Sequence, residues 1–442
     1  MHDTARLRAL DKKVLWHPFT PQQRWAASEP LVIARGDGCL LYDTDGKAYL
    51  DGVSSLWTNV HGHGHPTLDA ALHAQAEQLA HSTLLGLTHP EAIELAAELI
   101  DVAPWGLTRV FYSDSGSTST EIAVKMAFQA QQQRGETRRT RFATLSDAYH
   151  GDTIGAVSVG GIDTFHKLFK PLLFDALVLP APRSPGGDEE ATALSGALAL
   201  LDAHADTLAG LIVEPMVQGA AGMKMHSVDF VRALIDRARE HGILVIADEV
   251  AVGFGRTGTL FAMEQVGRSP DFLCLAKGIS GGYLPLAATL ATEDVYDAFI
   301  GSPEENRQFF HGHTYTGNPL ACAVARASLR LFDEEDTLGN VRALTAQLGR
   351  LLEARLAPHP FVVDIRQCGV MVGIDLAREG SPLPADIGHR VAMAARRHGA
   401  ILRPLGATLV LNPPLSLTAA QADDLVRITR KALDDVTEEL MA

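Results

Sequence analysis

The chain has 442 residues, above the size at which a single hydrophobic core usually stops growing, so a large lobe with a smaller one beside it is expected. Hydrophobic residues at 46% and charged residues at 21% lie near the averages for a folded soluble protein and argue against long disordered segments. A formal net charge of −15, with no cluster of Lys and Arg, excludes broad contact with nucleic acid or an anionic membrane surface and leaves small molecules as the expected partners.

Residues 1–15 mix charged and apolar side chains without an apolar signal core. No uninterrupted apolar run reaches the ~18 residues of a membrane span, and a cytoplasmic location is expected. Residues 31–50 read as short strands around the turn chemistry of Gly36-Asp-Gly38 and Asp43-Thr-Asp-Gly46, which predicts an antiparallel hairpin. From about Thr67 to Phe332, amphipathic stretches alternate with apolar runs at 109–112, 210–214 and 242–248, the pattern of buried parallel strands with crossover helices. Each run ends at a polar residue. Ligands collect beyond the carboxyl ends of such strands, so Tyr112, Glu214 and Asp248 are expected to face one crevice. Residues 134–141 read as a solvated loop or helix end, and 181–190 as an exposed insertion. A helix to about Leu356, strands near 361–366, 370–374 and 408–411, and a closing helix from Thr418 predict a smaller α+β lobe, with the N-terminal hairpin packed on it. The expected division is 1–57 with the small lobe, 58–334 as the large lobe and 335–442 as the C-terminal small lobe. Cys39, Cys274, Cys322 and Cys368 form no CxxC pair, so buried thiols are expected in place of a disulfide framework or zinc site.

Four constellations carry chemistry. Tyr112-Ser-Asp-Ser-Gly-Ser-Thr-Ser-Thr-Glu121 joins a strand to a helix through small residues. Gly116 and Ser117 can cradle a phosphate at the helix N-terminus, or the serines and threonines can simply cap the helix. Asp248 ends an apolar strand, where an unpaired carboxylate is costly; a protonated pyridine nitrogen would satisfy it, and Val250 could pack against the same ring. Alternatively Asp248-Glu249 is an acidic pair opening a helix. Lys277, in Cys274-Leu-Ala-Lys-Gly-Ile-Ser-Gly-Gly-Tyr283, follows an apolar run that would lower its pKa from about 10.4 and favour a neutral amine, although an isolated lysine is ordinarily a surface residue. Tyr149-His-Gly-Asp152 offers an aromatic face, a hydroxyl and two hydrogen-bonding side chains. The histidines of His61-Gly-His-Gly-His65 and His311-Gly-His313 lack accompanying acid or thiol ligands and read as turn or pocket-wall residues rather than a metal site.

Taken in order along nearly the whole chain, these motifs resemble the class-III pyridoxal-phosphate-dependent aminotransferases. The signals are Leu15-Trp-His-Pro-Phe-Thr20, Val53-Ser-Ser-Leu-Trp-Thr-Asn-Val-His-Gly-His-Gly-His-Pro66, Asp114-Ser-Gly-Ser117, Tyr149-His-Gly-Asp-Thr153, residues 248–258 and His311-Gly-His-Thr-Tyr-Thr-Gly-Asn-Pro319. The Trp-His-Pro start and the Tyr-His-Gly-Asp-Thr block narrow the resemblance to the branch that converts 8-amino-7-oxononanoate to 7,8-diaminononanoate in biotin biosynthesis. The resemblance implies a pyridoxal-phosphate transferase of fold type I, an α/β protein with a mostly parallel sheet in the large lobe, acting as a homodimer with shared active sites and inactive as a monomer. It implies Lys277 as the imine-forming lysine, Asp248 on the pyridine nitrogen, Gly116 and Ser117 on the phosphate, Tyr149 and Val250 against the ring, and Glu214 as a nearby acid. His313 and Thr314 would complete the cofactor site, Thr314 from the neighbouring subunit. Trp57, Tyr149, Gly312 and Arg403 match substrate-contact positions, Arg403 gripping a carboxylate through a bidentate pair unless it serves a structural ion pair.

Phe19 stands at the site of chemistry where members using S-adenosylmethionine usually carry a tyrosine, and Leu56-Trp57 replaces a tandem tryptophan. With Ser82-Thr-Leu-Leu-Gly86 and residues 310–316, Phe19 is similar to the lysine-using branch, so the donor is S-adenosylmethionine or lysine. The rivals are an ω-aminotransferase for ornithine, 4-aminobutyrate or a diamine, and a non-catalytic pyridoxal-phosphate binder, for which a DNA-reading module would be needed. No Gly-x-Gly-x-x-Gly follows an early strand, which disfavours a nucleotide-dependent dehydrogenase.

Overall fold

The structure, a computed structural model, describes residues 2–162, 167–378, 380 and 382–441. Strands β1 (Ile33–Asp37), β2 (Leu40–Asp43) and β3 (Ala48–Asp51) come first, then β4 (Leu107–Ser113), β5 (Arg141–Leu145), β6 (Leu177–Leu179) and β7 (Leu208–Val213). A short pair, β8 (Val217–Gln218) and β9 (Lys224–Met225), precedes β10 (Leu244–Asp248), β11 (Phe272–Leu275) and β12 (Ala287–Thr292). The last strands are β13 (Val362–Cys368), β14 (Met371–Leu376), β15 (Ala400–Ile401), β16 (Arg403–Leu405) and β17 (Thr408–Leu411).

The large sheet has the order β4-β12-β11-β10-β7-β5-β6, parallel except for β12, which runs antiparallel between β11 and β4. Every residue of β7, β10 and β11 is buried, which is why these strands read as unbroken apolar runs rather than alternating ones. Each fully buried Val, Leu or Ile contributes about 1.5–3 kcal/mol of burial free energy. Helix Gly116–Gln133 packs across β7, β10, β11 and β12, and helix Pro319–Glu334 packs against Pro66–Gln78 and Pro90–Val102.

Two four-stranded sheets flank this one. One is antiparallel, in the order β13-β14-β17-β16; the other joins the N-terminal β1-β2-β3 meander to β15 through a parallel β3–β15 pairing. The N-terminal strands therefore pair with a strand from the last tenth of the chain, as the hairpin's expected packing requires. Among the described residues no helix is long and apolar enough to cross a membrane.

Two surface readings are corrected. Arg139 is not solvated: its guanidinium donates to the carbonyls of Ala205 (3.0 Å), Leu208 (2.9 Å) and His241 (2.7 Å), tying together the loops at the starts of β7 and β10. Its Nε also meets the Glu136 carboxylate at 3.5 Å, but the hydrogen bonds that tie the loops go to carbonyl oxygens, which the sequence does not display. Residues 187–190 are the first turn of helix Gly187–His204 rather than part of an exposed loop. Buried Glu190 accepts from the backbone N–H of Gly186 and of Ser227, both at 2.7 Å.

Candidate active site

The carboxyl edge of the large sheet opens into a cavity of about 730 Å³. Val213 pairs with Ala247, so Glu214 and Asp248, the next residues, stand level at the ends of β7 and β10. Asp248 in turn pairs with Cys274 of β11, and Lys277 follows three residues on. Both acids, Lys277, Gly116, Ser117 and Tyr149 line the cavity. Tyr112 does not: it is buried behind the edge, its hydroxyl donating to the Ala92 carbonyl at 2.8 Å, because a strand's alternate side chains point to opposite faces.

Asp248 is 4% exposed, and each of its carboxylate oxygens has one protein partner. His150 Nδ1 stands 2.7 Å from Oδ2, and the Val250 N–H donates to Oδ1 at 3.0 Å. His150 is held from behind, its carbonyl accepting from Thr120 Oγ1 at 2.7 Å. This is the residue that sequence reasoning underplayed. The available signal was the cost of leaving a buried strand-end aspartate unpaired, together with an imidazole beside Tyr149 in the loop that follows β5, two strands away in the sheet. Glu249 turns the other way and accepts from the N–H groups of Ala262 (2.7 Å) and Met263 (2.8 Å), at the start of helix Ala262–Val266. No helix opens at Asp248-Glu249, so the pair is not a helix start; Glu249 instead reaches the N-terminus of a helix that begins thirteen residues later. Val250 lies in the turn after β10, not on the strand face, yet it reaches the cavity wall.

Lys277 opens a 3-10 turn, Lys277–Ser280, with φ of +46°. Burial lowers its pKa, the buried Arg256 guanidinium adds to the lowering, and Asp248 and Glu214 oppose it. Its Nζ lies 5.0 Å from the ring centroid of Trp57. Burial also pushes Glu214 up to about 7, with Asp248 adding to the rise, while His150 and the N–H donors of Tyr149 (3.2 Å) and Gly219 (3.1 Å) oppose it. Tyr149 donates its hydroxyl to Asp152 at 2.8 Å, and burial with that bond raises its pKa.

Helix Gly116–Gln133 aims its N-terminus into the cavity. Ser115 caps it, in a reciprocal box with Thr118, while the next two residues, Gly116 and Ser117, line the cavity. Ser117 Oγ accepts from the Thr153 N–H at 2.9 Å and donates to Thr153 Oγ1 at 3.0 Å. A Cβ on Gly116 would collide with Val250 Cγ1, and one on Gly151 with Ser117, so both glycines are there for close approach. An amine, a fixed acid and a helix N-terminus around one cavity fit a phosphorylated heteroaromatic aldehyde: the acid suits a ring cation, the amine a carbonyl carbon, the helix a phosphate.

Trp57 enters from a turn in which Ser54, Ser55, Leu56 and Trp57 all have positive φ (48°, 49°, 79° and 68°). The left-handed conformation costs an L-residue roughly 1–2 kcal/mol. Trp57 is 7% exposed, and its Nε1 has no hydrogen-bond partner. Ser55 and Leu56, from the same turn, line a second cavity of about 540 Å³ with Phe19, Trp25, Arg396 and Arg403. Arg403 is half-buried, burial lowers its pKa, and among the described residues no carboxylate pairs with it. Leu56 lines this cavity and the next residue, Trp57, lines the first, so the two adjoin at the turn.

Gly312 and Thr314 are exposed, His313 is half-buried, and none of the three lines either cavity of this chain. The histidines of residues 61–65 are individually used. His61 stands 3.0 Å from the Ser328 carbonyl, and burial lowers it to about 4. His63 stands on Asp51, and His65 caps helix Pro66–Gln78 and meets Glu335 at 3.0 Å. Among the described residues no three His, Cys, Asp or Glu side chains form a metal-holding group.

Residues 22–433 match the family Aminotransferase class-III. The adenosylmethionine-8-amino-7-oxononanoate aminotransferase of Nitratidesulfovibrio vulgaris is 54% identical over 98% of this chain and 83% of its own length. The protein of the same name from Geobacter sulfurreducens is 48% identical over 99% of each chain. Among solved structures, that of adenosylmethionine-8-amino-7-oxononanoate aminotransferase from Methanocaldococcus jannaschii superposes with a TM-score of 0.94 at 39% identity, covering 98% of this chain and 99% of that one. An amine transaminase from an uncultivated Pseudomonas species, in its PLP-bound form, gives 0.90 at 37% identity, covering 96% and 98%.

Proposed function

The chain belongs to the class-III aminotransferases, and on that premise we propose that it binds pyridoxal phosphate in the Lys277 cavity and transfers an amino group to the ketone of 8-amino-7-oxononanoate, forming 7,8-diaminononanoate for biotin synthesis. The observation that carries the reaction type is Lys277, its amine depressed by burial, on the same sheet edge as the His150-held Asp248. Identity of 54% with one relative named for this acceptor, and of 48% over 99% of each chain with another, supports the substrate.

Pyridoxal phosphate, when bound, supplies the electron sink that makes the carbon beside a substrate's amino group acidic. In its neutral form the Lys277 amine would bond to the cofactor's aldehyde carbon, and once displaced by the substrate amine it would carry a proton between the substrate carbon that bears nitrogen and that same aldehyde carbon, the two lying on either side of the nitrogen. Asp248, its orientation fixed by His150 and the Val250 N–H, would hold the cofactor's ring nitrogen in its protonated form. Gly116 and Ser117 present the helix N-terminus to the phosphate, Tyr149 and Val250 flank the ring, and Glu214 backs the Tyr149 backbone. Trp57 and Tyr149 wall the substrate, and Arg403 receives its carboxylate. Gly312, His313 and Thr314, all outside this chain's own cavities, act in the site of the other protomer of a homodimer. Residues 58–334 form the large lobe, with 1–57 and 335–442 in the small one. Three of the four free thiols are buried, as suits a protein of the reducing cytoplasm.

S-Adenosylmethionine is the proposed donor, after the names of the relatives. Lysine is the second reading, favoured by Phe19, which brings no hydroxyl to the Arg403 chamber. The test incubates holoenzyme and 8-amino-7-oxononanoate with each donor and measures diaminononanoate by mass spectrometry. Product with S-adenosylmethionine is the expected result, and product with lysine alone reassigns the donor. Turnover of ornithine, 4-aminobutyrate or a diamine without either product would replace this reading by a general ω-aminotransferase.

A further inference from the structure

Among the described residues, Ser54–Trp57 is the longest run of non-glycine residues with positive φ, and it carries no glycine or asparagine that would favour the conformation. Something outside the run must hold it. Asp51, at the end of β3 and 1% exposed, accepts from the Ser55 N–H at 2.9 Å and from Ser55 Oγ at 2.7 Å. His63 Nε2 stands 3.1 Å from the same carboxylate and 3.5 Å from Ser55 Oγ. Burial on its own would raise Asp51, and the bonds from His63 and Ser55 outweigh it and lower its pKa.

His63 is itself seated by the N-terminal strands. Its N–H donates to the Gly38 carbonyl at 2.7 Å, and the Gly38 N–H donates back to the His63 carbonyl at 2.9 Å. A Cβ on Gly36 would lie 2.6 Å from the His63 Cβ, so Gly36 leaves the space that the imidazole's stem fills. Contacts therefore run from Gly36 and Gly38 through His63 and Asp51 to Ser55, and two residues later to Trp57 over Lys277.

We propose that His63 is a positioning residue for the substrate wall: seated on the N-terminal strands, it locks Asp51 onto Ser55 and thereby fixes the left-handed turn that sets Trp57 in the cofactor cavity and Leu56 in the Arg403 chamber. The turn separates the two cavities, so its placement decides how a substrate reaching from Lys277 to Arg403 is threaded. The inference rests on the reading of Trp57 as a substrate wall. It gives the histidine-rich loop a role that is neither metal binding nor proton transfer.

The experiment compares wild-type holoenzyme with His63→Ala, His63→Gln and Ser55→Ala. It reads KM and kcat for 8-amino-7-oxononanoate, the thermal midpoint, and acrylamide quenching of Trp57 emission, isolated by subtracting the spectrum of Trp57→Phe. Loss of a hydrogen bond to a charged group predicts that His63→Ala raises KM about tenfold with kcat within about threefold, because binding rather than the transition state is loosened. Trp57 becomes more quenchable, and His63→Gln, whose amide can still donate to Asp51, restores both readings. Unchanged KM and unchanged quenching in His63→Ala overturn the proposal, as does a lowered thermal midpoint with Trp57 untouched, or a glutamine variant no better than alanine. Should His63→Ala fail to fold, Ser55→Ala, which leaves the His63–Asp51 contact in place, carries the same expectations. If the wild type does not turn over 8-amino-7-oxononanoate, the substrate reading fails while Trp57 quenching still decides the role of His63.

Discussion

Glu214, Asp248 and Lys277 follow three neighbouring strands of one sheet, whereas Trp57, Phe19 and Arg403 reach the adjoining cavities from a left-handed turn, the N-terminal segment and the C-terminal antiparallel sheet. In the first group, spacing is set by the roughly 4.8 Å between strands, and both carboxylates are engaged by backbone N–H groups or an imidazole before any ligand arrives. In the second, Arg403 lacks an acid partner among the described residues, Phe19 is 57% exposed and Trp57 has an unpartnered indole N–H. The floor is finished and fixes a reaction type. The rim is unfinished on its own, and Arg403 and the Trp57 indole are where the proposed substrate would be selected.

The largest expected effect breaks the floor. Lys277→Ala removes the group that both attacks and carries the proton, so kcat falls by about 10⁴-fold or more, and the yellow colour of reconstituted enzyme is lost; initial rates and the visible spectrum check this. Asp248→Asn keeps the shape and removes the charge. A preorganised charge at the electron sink predicts a fall in kcat of about 10²–10³-fold with little change in KM, measured by steady-state kinetics. On the rim, Arg403→Met acts on binding: KM for 8-amino-7-oxononanoate rises about 10–100-fold while kcat changes little, as for loss of a charge-assisted hydrogen-bond pair. A fall in kcat as large as that of Asp248→Asn would erase the distinction between floor and rim.

The same division explains what was legible in the sequence. Strand ends are announced locally, since an apolar run that stops at a polar residue needs only its own few residues to be recognised, and Glu214, Asp248 and Lys277 were found that way. Tyr112 matched the same pattern and failed, because the run does not say which residue is the last to point inward. Partners that meet from distant segments were silent. Nothing in Ser54-Ser55-Leu56-Trp57 signals a left-handed turn, since its support comes from Asp51, His63 and the Asn412 carbonyl. Gly36 and Gly38 looked like ordinary turn chemistry, yet Gly36 lies within β1 and makes room for His63. Arg139 and Glu190 were misplaced at the surface because the hydrogen bonds that hold them inside go to backbone groups, which every sequence possesses and none displays.

The smallest expected effect concerns Glu249, which follows Asp248 but faces away from the cavity. Burial raises it from 4.5 to about 8, with Glu264 and Asp248 adding to the rise and the Ala262 and Met263 N–H groups opposing it. The unfolded chain releases this proton near 4.5, and the folded protein keeps it to about 8. Between those values the unfolded state is progressively favoured, so the stability contributed by this group is complete at low pH and lost as pH rises through the window. Glu249→Gln does not titrate. It also keeps a carbonyl oxygen for one of the two N–H donors and sets its amide against the other, an offset that does not vary with pH. The melting temperature of the variant minus that of the wild-type holoenzyme should therefore climb by about 3 °C as pH goes from 4.5 to 8, then level off. A difference that stays flat across the window would mean that Glu249 ionises in the folded protein as an exposed carboxylate does. The floor would then hold its acids no more tightly than the rim holds its side chains.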